Sequence, residues 1–154
     1  MSRSPRQTQK IGERLGQAAE PGDVYLLTGE LGSGKTCLAQ GIARGLGVKE
    51  YTSSPSFVLM KEYRGRLVMY HMDLYRLDRE QEMLDLGLES YFSGDGLSVV
   101  EWAEKLGRLT PKEHLLVTIS YHGDEDRVLQ FKARGKRYVE RLARLSPAPP
   151  QARP

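Results

Sequence analysis

The sequence predicts an α/β domain with a mixed central sheet flanked by helices, in a chain of 154 residues that suits one modest core. Three observations carry that reading. Short apolar runs at strand spacing alternate with apolar faces at helical spacing. Two pairs of runs flank turn residues, Arg64-Gly65 and His122-Gly123-Asp124-Glu125, as in hairpins. A glycine-rich segment joins one apolar run to a helical pattern. Interleaved helices and strands, some strands paired as hairpins, imply a mixed sheet.

Ser4-Pro5-Arg6-Gln7 has the form of a capping box with proline at the first helical position. Ile11, Leu15, Ala18 and Ala19 follow at helical spacing, and Pro21-Gly22-Asp23 breaks the helix. Residues 24–28 read as a buried strand. Beyond the glycine-rich loop, Leu38, Ala39, Ile42, Ala43 and Leu46 mark one face of a second helix that Gly47 can end. Strands are expected over residues 57–63 and 66–72, then a helix over 79–86 with Gly87 as its stop. Residues 97–100 form a short apolar run ending in Glu101-Trp102. Two more strands cover 115–121 and 127–133, and Val139, Leu142 and Leu145 suggest a last short helix. The domain is expected over residues 1–145. The stretch SPAPPQARP from Ser146 is rich in proline and expected to be disordered.

Composition narrows the class. With 39% hydrophobic and 28% charged residues the chain has the balance of a soluble globular protein. No apolar stretch approaches the roughly 20 residues of a membrane span. The basic start MSRSPRQTQK leads into no apolar segment, so no secretory signal is read there. The one cysteine, Cys37, excludes an internal disulfide and fits a reducing cytoplasm; it reads as a small buried helix residue. The net charge of +3 is compatible with an anionic partner without requiring one.

Gly29-x-x-x-x-Gly34-Lys35-Thr36 matches the phosphate-binding loop of nucleotide hydrolases. Glycines let the backbone fold tightly around an anion with its N–H groups pointing inward. The following helix adds its positive end. Lys35 can reach the outer phosphates, and the Thr36 hydroxyl can ligate magnesium. The bland alternative is a flexible glycine turn before a helix.

Two acids end apolar runs: Asp73 after Met72, and Glu101 after Val100. Ligands of open α/β sheets sit beyond the carboxyl ends of the strands. One acid could hold magnesium and the other orient the attacking water; each could instead be a helix cap or a surface ion-pair partner. Ser53-Ser54-Pro55-Ser56-Phe57 stands where several nucleotide hydrolases carry a switch, or is a plain turn into a strand.

The loop, Ser54-Pro55-Ser56-Phe57, His71-Met72-Asp73-Leu74-Tyr75-Arg76 and Glu101-Trp102, in this order and spacing, resemble the TsaE family. These are small bacterial ATPases needed for the threonylcarbamoyl modification of adenosine 37 in certain tRNAs. The resemblance runs over residues 8 to about 133 and implies a P-loop NTPase-like α/β domain. It implies ATP and Mg2+ as cofactors and the TsaB–TsaD pair as partners, with tRNA met only through that complex. Hydrolysis is expected to be weak alone and partner-dependent, supporting turnover of TsaD, which transfers the modifying group. The implied nucleotide-binding residues are Glu30, Leu31, Gly32, Ser33, Gly34, Lys35 and Thr36, with Ser56 in the switch and Trp102 near the nucleotide or the partner. Thr36 and Glu101 are the implied magnesium ligands, and Asp73 the catalytic or metal-organising acid. Ser56 replaces the family's usual threonine and keeps the hydroxyl. Ser33 replaces a common alanine with another small residue.

Several residues keep plainer readings. His71 could orient Asp73, touch a partner, or be structural. Tyr75 and Arg76 suit a partner surface, with Arg76 also a possible source of positive charge at the phosphates. Trp102 could stack on a base or fill the core. Arg127, Lys132, Arg134, Lys136, Arg137, Arg141 and Arg144 make the last third basic, which suits a solvated face or a partner more than direct tRNA contact. A small-molecule kinase is a rival, but it would need a lid with paired arginines, and none is legible.

Overall fold

The computed structural model describes residues 1–49 and 60–145. Among these, six strands form one sheet in the order β2-β3-β4-β1-β5-β6. The strands are β1 (Val24–Gly29), β2 (Met60–Arg64), β3 (Val68–Asp73), β4 (Leu97–Glu101), β5 (His114–His122) and β6 (Asp126–Arg134). β3, β4, β1 and β5 run parallel, and β2 and β6 are antiparallel edges. The mixed sheet and the flanking helices are those expected. No helix among the described residues is long and apolar enough to cross a membrane.

β1 lies in the middle, and its residues alternate between two cores. Tyr25 and Leu27 pack with Leu15, Leu38, Ile42 and Val117 under the helices α1 (Pro5–Ala18) and α2 (Lys35–Gly45). Val24 and Leu26 pack with Met72, Leu74, Met83 and Leu106 on the opposite face. A strand covered on both sides has no polar phase, which is why residues 24–27 are a continuous apolar run.

Ser4 caps α1, its Oγ accepting from Gln7 N at 3.1 Å. Gln7 completes the box one residue early, its Oε1 accepting from Arg3 N at 2.6 Å. α1 lies against α2 backbone to backbone where glycines face it. A Cβ at Gly16 would stand 2.1 Å from the Ile42 carbonyl oxygen, and one at Gly41 2.1 Å from that of Gln9. A Cβ at Gly12 would stand 2.4 Å from the Leu38 carbonyl oxygen and one at Gly45 2.1 Å from that of Glu13, so two pairs of glycines, each spaced by four, set the helix separation.

The expected helix at 79–86 is α3 (Glu80–Asp85). Beyond Gly87, two pieces were not foreseen: α4 (Leu88–Phe92) and a 3-10 segment (Ala103–Leu109). The last helix, α5 (Lys136–Leu145), does not pack through Val139, which is 55% exposed. Its fully buried residues are Tyr138 and Arg141. Arg141 pairs with the buried Asp23 beside Tyr25, and the Tyr138 hydroxyl accepts from Val24 N at 2.8 Å. An arginine can bury its stem and pair its head, so an apolar count found Leu142 and Leu145, which pack partly buried against the core, but not Arg141. Cys37 is half-buried rather than buried; its thiol donates to the Pro5 carbonyl at 3.1 Å, and burial pushes its pKa up.

Candidate functional site

β1 ends at Gly29 and α2 starts at Lys35, so the glycine-rich loop sits at the carboxyl edge of the central strand. Gly32 and Gly34 have φ of 78° and 116°, where a side chain would be strained. Among the described residues no side chain caps the start of α2, and no acid lies in its first turn. Its leading N–H groups therefore lack side-chain acceptors, and the positive end of the helix dipole is unopposed there. That fits a phosphate.

Lys35 is 4% exposed. Its ammonium donates to the carbonyls of Gly29 at 2.5 Å and Glu30 at 2.9 Å. Burial lowers its pKa, against the opposing pull of Glu101, Glu104 and Asp73. The ammonium also lies 4.1 Å from the centroid of the Trp102 ring. Trp102 itself has φ 58° and ψ 41°. So bulky a residue rarely adopts the left-handed conformation, and such strain gathers at functional sites. The turn puts the indole between Lys35 and Tyr75, whose ring centroid is 4.9 Å away.

The two acids meet. Asp73 and Glu101 are facing residues of the parallel pair β3–β4, and Leu27 faces Glu101 from β1. The Thr36 hydroxyl donates to Glu101 Oε1 at 2.9 Å. His71 Nε2 lies 2.5 Å from Glu101 Oε2. His71 therefore holds Glu101, not Asp73 as its place in β3 suggested. His71 is fully buried, and among the described residues its Nδ1 has no hydrogen-bond partner. Nε2 is the ring nitrogen that faces the carboxylate. Asp73 Oδ1 accepts from Tyr75 N at 3.0 Å, which starts the turn after β3. Lys105, from the 3-10 segment, donates to the Tyr75 and Leu77 carbonyls at 2.5 and 3.1 Å and ties that turn down.

A cleft of about 420 Å³ opens among these groups. Of the predicted site residues, Leu31, Gly32, Gly34, Lys35, Thr36, Asp73, Glu101 and Trp102 line it; Tyr75 and Arg76 join them. Ser33 does not, its side chain being buried within the loop. Glu30 lines a second, shallower cleft of about 620 Å³ beyond Trp102, together with Glu104, whose carboxyl is pushed up by burial. Ser56 and the rest of the Ser-Pro-Ser-Phe segment lie outside the described residues. Two residues that no motif singled out reach the loop from the other side. Tyr121 Oη donates to the Leu31 carbonyl at 2.9 Å, and Arg127 Nε donates to the Ser33 carbonyl at 3.1 Å. Arg127 and Arg141 are thus engaged within the domain and are not part of a free basic face.

The oxygen donors suit magnesium, which takes one or two protein oxygens when phosphates supply others. Thr36 and Glu101 are already side by side.

The model of the family described as "Threonylcarbamoyl adenosine biosynthesis protein TsaE" matches residues 2–129. The chain belongs to the TsaE family. A relative from Bacillus subtilis (strain 168), named tRNA threonylcarbamoyladenosine biosynthesis protein TsaE, is 44% identical over 93% of this chain and 90% of its own length. One of the same name from Treponema pallidum (strain Nichols) is 38% identical, covering 82% of this chain and 94% of its own. The crystal structure of Bacillus subtilis YdiB superposes with a TM-score of 0.81 at 38% identity, over 92% of this chain and 88% of that one. Membership of the family and the P-loop NTPase-like fold, both expected from the motifs, are borne out. The names of the TsaE relatives assign them to the biosynthesis of threonylcarbamoyladenosine in tRNA.

Proposed function

We propose that this chain is a magnesium-dependent ATPase that serves the threonylcarbamoylation of adenosine 37 in tRNA, working with TsaB and TsaD. The observation that carries the reading is the hydrogen bond from Thr36 to Glu101, which joins the phosphate-binding loop to the acid at the end of β4. A loop used only as a turn has no need of an acid 65 positions away on its hydroxyl.

In this reading the N–H groups of the loop and the start of α2 bind the phosphates. Lys35 exchanges its hold on Gly29 and Glu30 for the outer phosphates. Magnesium, held by Thr36 and Glu101, would supply positive charge where negative charge builds up. Asp73 orients the attacking water; its position opposite Glu101 in the β3–β4 pair supports that role. His71 fixes the Glu101 carboxylate so that Oε1 stays with Thr36. Trp102 and Tyr75 wall the cleft.

The test is ATP hydrolysis by the protein alone and with the TsaB–TsaD pair of its organism, beside Lys35→Ala and Glu101→Ala. Slow hydrolysis that rises with the pair and collapses in both variants is expected. Hydrolysis indifferent to the pair, or phosphate passed to a small acceptor, would overturn the reading. Nucleotide binding with no hydrolysis, even with the pair present, would leave a nucleotide-gated binding module instead.

A further inference from the structure

A phosphate-binding loop works when its N–H groups converge on the anion. Its carbonyls must then point away, and something must hold them there, because a free carbonyl can rotate inward and repel a phosphate. Two of those carbonyls are held. Tyr121 Oη donates to Leu31 O at 2.9 Å, and Arg127 Nε donates to Ser33 O at 3.1 Å.

The two donors form one unit. Tyr121 and Arg127 are facing residues of the antiparallel pair β5–β6. The Arg127 guanidinium lies 4.3 Å from the centroid of the Tyr121 ring. It also donates to the carbonyls of Asp126 at 2.9 Å and Asp124 at 3.4 Å, which ties it to the hairpin turn. From the outside, Ser2 bridges to Arg127 through both main-chain hydrogen bonds, at 2.7 and 2.8 Å. The fit to the loop is close: a Cβ on Gly32 would stand 3.0 Å from Tyr121 Oη.

We infer that Tyr121 and Arg127 are positioning residues that preorganise the phosphate-binding loop by capturing its outward carbonyls at Leu31 and Ser33. They act through the loop and touch no ligand. The inference rests on the proposed nucleotide binding, which it deepens. Without the clamp, part of the binding energy goes into ordering the loop, and affinity falls.

The test uses the full chain with Mg·ADP in a calorimeter, together with backbone amide exchange in the absence of nucleotide. Tyr121→Phe removes one hydroxyl and keeps the ring. Arg127→Gln removes the guanidinium, and Arg127→Lys keeps the charge without the Nε donor. Tyr121→Phe and Arg127→Gln are expected to weaken ADP binding about three- to tenfold, the scale of one hydrogen bond, with Arg127→Lys no better than a partial rescue. Amides of residues 31–36 should exchange faster by a similar factor while those of β1 and β4 keep wild-type rates. ADP affinity and loop exchange equal to wild type would overturn the inference. So would exchange that accelerates throughout the sheet, since the residues would then be holding the fold and not the loop. If the wild-type chain binds no ADP, the nucleotide reading fails on its own. The exchange arm, which needs no ligand, still decides the clamp.

Discussion

The Thr36 hydroxyl donates to Glu101 Oε1 at 2.9 Å, coupling the first turn of α2 to the end of β4. Both oxygens are the expected magnesium ligands, so removing one should weaken the metal directly. Thr36→Val keeps the shape and deletes the hydroxyl. The Mg2+ concentration for half-maximal ATP hydrolysis should rise about 10- to 100-fold, and Thr36→Ser should restore most of it. An unchanged magnesium dependence in Thr36→Val would remove Thr36 from the metal site.

His71 is the other hold on Glu101. His71→Phe fills the space but leaves Glu101 Oε2 buried without a donor, which costs about 1–3 kcal/mol. Urea unfolding should show that loss. His71→Gln, which can still donate an N–H, should recover part of it. Equal stability of the two variants would mean that the 2.5 Å contact carries no net energy.

Trp102 is the only tryptophan, and the Lys35 ammonium lies on its ring face. A phosphate that draws Lys35 away must change the indole's surroundings. Adding Mg·ATP should therefore shift the intrinsic emission, and Lys35→Ala should begin from a shifted spectrum and respond little. A response of full size in Lys35→Ala would separate the fluorescence from this lysine.

Arg141 and Asp23 are both buried, with Arg137 the second partner of Asp23 at 3.1 Å. Arg141→Met leaves most of a buried carboxylate charge without its closest partner. Breaking such a pair from one side costs about 3–5 kcal/mol. At roughly 2–4 °C per kcal/mol for a domain of this size, the melting temperature should fall by about 6–20 °C. A fall of under about 3 °C would show that Arg137 compensates.

Tyr25 is buried, donates to the Leu15 carbonyl at 2.9 Å, and has its pKa raised above the ordinary 10, chiefly by burial. The unfolded chain therefore loses this proton at a lower pH than the folded one does. The folded state holds more protons in that window, so its stability is full below pH 10 and declines as the pH rises further. For one group the decline is at most about 1.4 kcal/mol per pH unit. Tyr25→Phe should be less stable at neutral pH but fall less steeply above pH 10; parallel curves would refute the assignment.

What was legible in the sequence was what is local in the chain. The loop, its strand and its helix are contiguous, and their chemistry is written in adjacent glycines, Lys35 and Thr36. Asp73 and Glu101 could be found as strand ends, because apolar runs stop at them. The partners of these residues could not. That His71 reaches Glu101 depends on β3 lying beside β4, and that Tyr121 and Arg127 reach the loop depends on β5 flanking β1; strand order is not a local property. The Arg141–Asp23 pair spans 118 positions and hides in a segment that reads as a basic surface. α4 and the 3-10 segment are too short for a helical period to declare itself.

The glycine contact between α1 and α2 has a consequence for anyone mapping this protein by mutation. Gly45 lies about 15 Å along α2 from Lys35 at 1.5 Å per residue. A methyl group added there, or at Gly16 opposite, acts as a wedge against a carbonyl and must tilt one helix off the other. α2 carries Lys35 and Thr36 at its far end, so the tilt arrives at the glycine-rich loop as a displacement. A screen for lost nucleotide binding will therefore return hits on the back of the molecule. Those positions report the alignment of a lever, and mistaking them for ligand contacts would draw the cleft in the wrong place.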